Sequence, residues 1–220
     1  MNSPYKLASV LLQYPTTTLI EGLDVVDAEV ARLPLPGAAP LRRFLGWLRA
    51  TPPAEVAEHY VETFDLRRRC ALYLTYYRHG DSRKRGMAML AFTAAYRAAG
   101  LELASSELPD YLPLVLDFAA LDPQGVELLR SHRAELELLL RGLRDAPSPY
   151  ADVVAAVCAQ LPALRRPDQA LVRRLWESGP PAEEVGLEPF APPEYLGGSR
   201  GVAPPGQHSL GGHTEMGVSR

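Results

Sequence analysis

The strongest candidate nucleophile is Cys70, which follows Arg67, Arg68 and Arg69. Neighbouring guanidiniums favour a thiolate. No histidine is spaced to act as its base, and a lone cysteine is more often a small apolar core residue. Cys158, on an apolar helical stretch, reads as core too. His59, His79 and His132 stand far apart, and His208 and His213 have no cysteine nearby, so no metal-ligating pattern forms. Gly80-Asp81-Ser82-Arg83-Lys84-Arg85-Gly86 has glycines and cations but not the order of a phosphate-binding loop. Neither a GxGxxG nor a GxSxG motif occurs. Glu183 and Glu184 read as a solvated pair. The expectation is a non-enzyme with no catalytic residue, no metal site and no stably bound cofactor. A thiol enzyme built on Cys70, or a nucleotide hydrolase, is the weaker alternative.

Bulk properties narrow the class further. The chain has 220 residues, 47% hydrophobic and 22% charged, with a formal net charge of -3. That acidic balance argues against nucleic acid as a partner, which calls for a basic face. No apolar run approaches the roughly 20 residues of a membrane span, so an integral membrane protein is not expected. The first residues lack a basic segment followed by an apolar one. Two isolated cysteines suit a reducing compartment. The expected location is the cytoplasm.

The elements that would position any site are helices. Ser3-Pro4 pairs an N-cap with proline at the first helical position. Thr16 to Thr18 offer hydroxyl caps to a helix carrying Leu19, Leu23, Val26, Val30 and Leu33 on one face and Glu21, Asp24, Asp27 and Glu29 on the other. Pro34 and Pro36 are expected to close it. Further helices are predicted on Leu41 to Leu48 and from Thr51 to Phe64. Another runs from Ser82 to Gly100, with Met87, Leu90, Ala91, Ala94 and Ala98 as its inward line. Asp110 is predicted to cap the next. A long one starts at Asp122-Pro123 and extends to Leu143, and the last two start at Ser148 and Pro167. No series of alternating β-branched residues appears. The predicted fold is all-α, a single helical bundle over residues 1–178. Residues 179–220 are expected to be a flexible tail: from Pro180 onward, seven prolines and eight glycines fall in 41 residues, a composition typical of disorder.

The segment from Tyr60 to Leu121 is elaborate yet chemically quiet, which suits a surface that holds another polypeptide. Its aromatics (Tyr60, Phe64, Tyr73, Tyr76, Tyr77, Tyr96) exceed what a core requires, so some are expected to be partly exposed as anchors. Arg67–Arg69 and Arg83–Arg85 read first as a solvated surface or as partners of Glu62, Asp65 and Asp81. Glu107-Leu108-Pro109-Asp110 is expected to form an acidic lip beside a groove, where the apolar face of a basic amphipathic helix could lie.

At these residues the chain resembles the NarJ-type nitrate reductase assembly chaperones of the TorD-like molybdoenzyme chaperone family. The likeness runs through Leu11-Leu12-Gln13-Tyr14-Pro15, Tyr60-Val61-Glu62-Thr63-Phe64-Asp65, Leu72-Tyr73-Leu74-Thr75-Tyr76, Gly80 to Gly86, and Glu107-Leu108-Pro109-Asp110-Tyr111-Leu112-Pro113. It implies a TorD-like helical chaperone that binds the N-terminal segment of the nitrate reductase catalytic subunit. Such a protein assists molybdenum cofactor insertion before membrane attachment, with cofactor-delivery proteins as further partners. The alternative client is another molybdoenzyme, of the dimethyl sulfoxide or trimethylamine oxide reductase type; an adaptor with no cofactor role is a third reading. Candidate peptide-binding residues are Tyr60, Phe64, Asp65, Tyr76, Asp81, Arg85, Tyr96, Glu107, Leu108, Pro109 and Asp110.

Overall fold

Proline and hydroxyl side chains open most of the helices. The computed structural model describes residues 3–103 and 107–179; apart from Gly179, the expected tail lies outside the described residues. Among the described residues twelve α-helices follow one another: α1 (Pro4–Leu11), α2 (Thr17–Glu21), α3 (Leu23–Ala31), α4 (Leu35–Ala50), α5 (Pro53–Tyr60), α6 (Tyr76–His79), α7 (Arg83–Ala98), α8 (Leu112–Leu121), α9 (Pro123–Ser131), α10 (Arg133–Asp145), α11 (Tyr150–Cys158) and α12 (Arg166–Ser178). A π-helical turn, Val61–Asp65, extends α5, and a 3-10 turn spans Arg68–Cys70. Among the described residues the only β pairing is an isolated bridge between Tyr73 and Tyr111. No helix among them is long and apolar enough to cross a membrane.

The local punctuation acts as its chemistry requires. Thr16 accepts from the Leu19 amide at 3.4 Å, and Asp122 accepts from the Gln124 amide at 2.8 Å. Gly100, at φ 73°, ends α7 in a Schellman turn: the Leu101 amide reaches the Tyr96 carbonyl and the Gly100 amide the Arg97 carbonyl, both at 2.9 Å.

Four expectations need correction. The stripe from Leu19 to Leu33 is split at Gly22 into α2 and α3, and the stretch from Pro123 to Leu143 is split at His132. Pro34 and Pro36 do not close a helix; they lie at the N-cap and first turn of α4, where no amide donor is needed. The predicted inward line of α7 faces outward, and its buried residues are Phe92 and Tyr96.

The core lies where α8 packs on α1 and α9, α11 on α4, and α10 on α11 and α12. Fully buried Leu11, Leu41, Phe44, Leu112, Leu116, Leu129, Leu136 and Tyr150 fill it. Two glycines set how closely backbones approach. A Cβ at Gly125 would lie 2.3 Å from the Ala119 amide nitrogen, and one at Gly142 would lie 2.2 Å from the Arg69 carbonyl oxygen. Both obstacles are backbone, which cannot swing aside. Gly142→Ala is therefore expected to destabilise the fold by about 1–3 kcal/mol despite its better helix propensity, as read by urea denaturation.

His59 illustrates a half-buried polar joint. Its Nε2 lies 2.9 Å from the Ser148 hydroxyl and 3.3 Å from that of Thr63, and its ring stacks on Tyr150. Burial pulls its pKa down; Glu62 opposes and Arg67 reinforces the shift. Protonation thus favours the unfolded chain. The stability this group contributes is complete above the ordinary histidine value, about 6.5, and drains away as pH falls through the lower folded value. His59→Gln is expected to show a smaller stability loss between pH 7.5 and 5.5 than the parent, measured by denaturant titration at both pH values.

Candidate functional site

The site is built where the C-terminal end of α1 meets the N-terminal end of α8. An aromatic chain reaches it from the core. Tyr150 packs on Phe64 (4.8 Å between ring centres), Phe64 on Tyr60 (4.8 Å), and Tyr60 edge-on against Tyr14 (5.4 Å). The first three rings are buried, whereas Tyr14 is 49% exposed. The Tyr60 hydroxyl donates to the Leu12 carbonyl at 3.2 Å, satisfying one of the carbonyls left free where α1 ends. Pro15 stops the helix there, and its ring is buried. Tyr14 therefore projects from a firmly braced corner.

Two depressions share Tyr14 and Thr16 as a common wall. One, of about 380 Å³, is lined by Gln13, Tyr14, Glu107, Tyr111, Leu114 and Asp117 among others. The other, of about 500 Å³, runs past Pro15, Ile20, Pro53 and Ala54. Each is large enough for several side chains of a bound segment. The lining is apolar with an acidic margin. Asp117 pairs with Lys6 at 2.8 Å; Glu107 accepts from the Tyr73 hydroxyl at 3.3 Å but has no cationic partner among the described residues. Burial raises the Tyr111 phenol pKa, a hydrogen bond with Tyr60 opposes this, and Glu107 and Asp65 add to the rise. Both carboxylates therefore bear on this ring.

Asp110 is neither a helix cap nor part of a lip. It is fully buried, and α8 starts at Leu112 without a side-chain cap. The amides a cap would need are gone: Leu112 donates to the Leu72 carbonyl at 2.7 Å, and Pro113 has none. The carboxylate turns inward instead. Its Oδ2 accepts from the Thr75 amide at 3.1 Å and the Thr75 hydroxyl at 2.5 Å, with an Arg85 guanidinium nitrogen at 3.8 Å. Arg85 also reaches Asp81 at 3.5 Å and lies over the Tyr73 and Tyr76 rings. Leu74 donates to the Asp110 carbonyl at 3.1 Å, and the Tyr96 hydroxyl to the Pro109 carbonyl at 2.9 Å. These bonds latch the 72–76 segment and α7 to the strip that carries Glu107 and Tyr111.

The other sequence candidates divide by burial. Tyr60, Phe64, Tyr76 and Tyr96 are buried and support the site from beneath; of the six aromatics expected to supply anchors, Tyr73 is the one left partly exposed. Asp65, Asp81, Glu107 and Leu108 are exposed, while Arg85 and Pro109 are half-buried. Sequence reasoning missed Tyr14, Tyr111, Leu114 and Asp117. Tyr14 carried a signal: an aromatic just before a helix-ending proline. The acidic face of the second predicted helix is partly neutralised, since Arg49 binds Asp24 at 2.8 Å and Asp27 at 2.9 Å.

Cys70 is buried. Desolvation pushes its thiol up to about 11; Arg67 opposes this without overcoming it. It stays protonated near neutral pH, so the arginine run does not activate it. Among the described residues no cluster of three or more His, Cys, Asp or Glu is placed to hold a metal ion.

Residues 31–156 match the family model of the nitrate reductase delta subunit. The chain belongs to that family. It is 44% identical over 156 residues to the nitrate reductase-like protein NarX of Mycobacterium tuberculosis, covering 70% of this chain and 24% of that longer protein. It is 38% identical over 150 residues to the nitrate reductase molybdenum cofactor assembly chaperone NarJ of Escherichia coli K12, covering 66% and 64% of the two chains. The match thus spans about a quarter of the first relative and just under two thirds of the second. Among solved structures, an Archaeoglobus fulgidus protein assigned to redox enzyme maturation superposes with a TM-score of 0.54 at 23% identity, covering 70% of this chain and 89% of that one. That likeness concerns the all-α fold.

Proposed function

We propose that this chain is a dedicated assembly chaperone for nitrate reductase. It binds the N-terminal segment of the catalytic subunit and assists molybdenum cofactor insertion before the enzyme reaches the membrane. The observation that carries the reading is the cleft at Tyr14: a braced, half-exposed aromatic over an apolar floor with Glu107 and Asp117 at its margin. Family membership and the likeness to NarJ supply the client class. A basic amphipathic helix would lay its apolar face against Tyr14, Leu114 and Tyr111 and its cations toward Glu107 and Asp65. Desolvated apolar contact supplies most of the affinity, at roughly 25 cal/mol per Å² before ordering costs, and charge sets orientation and encounter rate.

In this reading residues 1–178 form the working domain, the protein acts in the cytoplasm, and it holds no cofactor stably. The metal chemistry belongs to the client. Cofactor-delivery proteins are further partners.

Calorimetric titration of the full chain with a synthetic N-terminal peptide of the catalytic subunit tests the reading. Saturable heat that weakens as salt rises is expected, together with a lower molybdenum content in reductase assembled without the chain. Absence of saturation at about 100 μM peptide, where a specific complex of about −8 kcal/mol would be complete, overturns it. A tighter fit to the leader of a dimethyl sulfoxide or trimethylamine oxide reductase would reassign the client.

A further inference from the structure

Helix α7 turns its apolar line away from the protein. Met87 is 70% exposed and Leu90 57%, and Ala91, Ala94 and Ala98 beside them are exposed as well. At about 100° per residue these five share one face, some 17 Å long. The opposite face carries what holds the helix down: Phe92 against His132, Tyr96 against Phe118, and Arg85 in the latch with Asp110.

The charges around the stripe have one sign. Arg83, Lys84 and Arg97 are exposed, lie within about 80° of the stripe's midline by the same helical geometry, and make no ion pair with any described residue. The helix contains no acidic residue. Arg83 and Lys84 occupy its first turn, where the macrodipole is already positive. Cations there work against the helix, and local rules broken this way tend to mark function.

We propose that the outward face of α7 is a second docking surface, separate from the Tyr14 cleft, and that it receives an amphipathic helical segment of a partner protein whose apolar stripe is flanked by acidic side chains. Three alanines with two larger side chains let a helix approach closely, with Met87 and Leu90 filling its grooves. A second copy of this chain would set the cations of two α7 helices against each other with no acid between them. A lipid surface would find two large apolar side chains and no aromatic on the stripe, little to insert. The acid-flanked helix satisfies both the stripe and the charges.

The test uses the full chain and two labelled synthetic peptides of about 18 residues with the same Leu/Ala stripe, one flanked by Glu and one by Lys. Fluorescence anisotropy is expected to show saturable binding of the Glu peptide, about tenfold or more tighter than the Lys peptide. Met87→Asp combined with Leu90→Asp should weaken it about tenfold without moving the thermal melt, because both side chains are exposed. Joint Arg83→Glu, Lys84→Glu and Arg97→Glu should reverse the preference between peptides. The proposal is overturned if neither peptide saturates, if both bind alike, or if the α7 variants leave binding unchanged. It is also overturned if Met87→Asp instead abolishes self-association of the parent, or its capture by anionic phosphatidylglycerol vesicles.

Discussion

Asp110→Ala is expected to lose about 3–5 kcal/mol of stability, the usual consequence of removing one partner from a buried charge pair. A lost helix cap would cost only about 0.5–2 kcal/mol. The carboxylate is fully buried. Its removal strands the Thr75 amide and hydroxyl and leaves the Arg85 guanidinium, 15% exposed, beside two tyrosine rings without its buried counter-charge. For a domain of this size that corresponds to a fall of about 6–20 °C in melting midpoint. Asp110→Asn keeps an acceptor for Thr75 and should fall between parent and alanine. Denaturant titration of the three proteins decides the matter. A loss below about 1 kcal/mol for the alanine variant would mean that Arg85 finds solvent and the latch is not a structural joint.

Tyr14→Ala should have the opposite profile. Its ring is half-exposed and touches Tyr60 only edge-on, so stability should stay within about 0.5–1 kcal/mol of the parent. Affinity for the basic client peptide should drop about 10- to 100-fold, the loss typical of an aromatic anchor at the centre of an interface. Glu107→Lys, which reverses the charge at the cleft's margin, should weaken binding less and make it insensitive to salt. Calorimetry on both variants measures this. Unchanged affinity in a folded Tyr14→Ala protein would place the client segment elsewhere.

The contrast between these two residues shows where reading the chain succeeds. Asp110 and Tyr14 both stand in segments that resemble the family, but only Asp110 stood out as a candidate. Neither role was legible. Whether an aspartate before a helix caps it or turns inward depends on which amides remain free, and Leu112 spends its amide on Leu72, a partner forty residues away. Whether an aromatic is floor or surface depends on which rings stack beneath it, and Tyr14 is outermost because Tyr60 and Phe64 lie between it and Tyr150.

Sequence alone determined the helical class and most helix starts and stops, because capping, proline geometry and the left-handed turn at Gly100 are local effects that act within a few residues. It also determined the absence of familiar catalytic and phosphate-binding patterns. Only tertiary structure decided which face of α7 is buried. That helix carries alanines, Met87 and Leu90 on one side and Phe92 and Tyr96 on the other, so its periodicity names two apolar faces without ranking them. The choice falls to Phe92, Tyr96 and Arg85, whose partners His132, Phe118 and Asp110 come from elsewhere in the chain. The cleft arises the same way: its walls are distant in sequence, and only the packing of α8 on α1 brings Tyr14, Glu107 and Asp117 to one place.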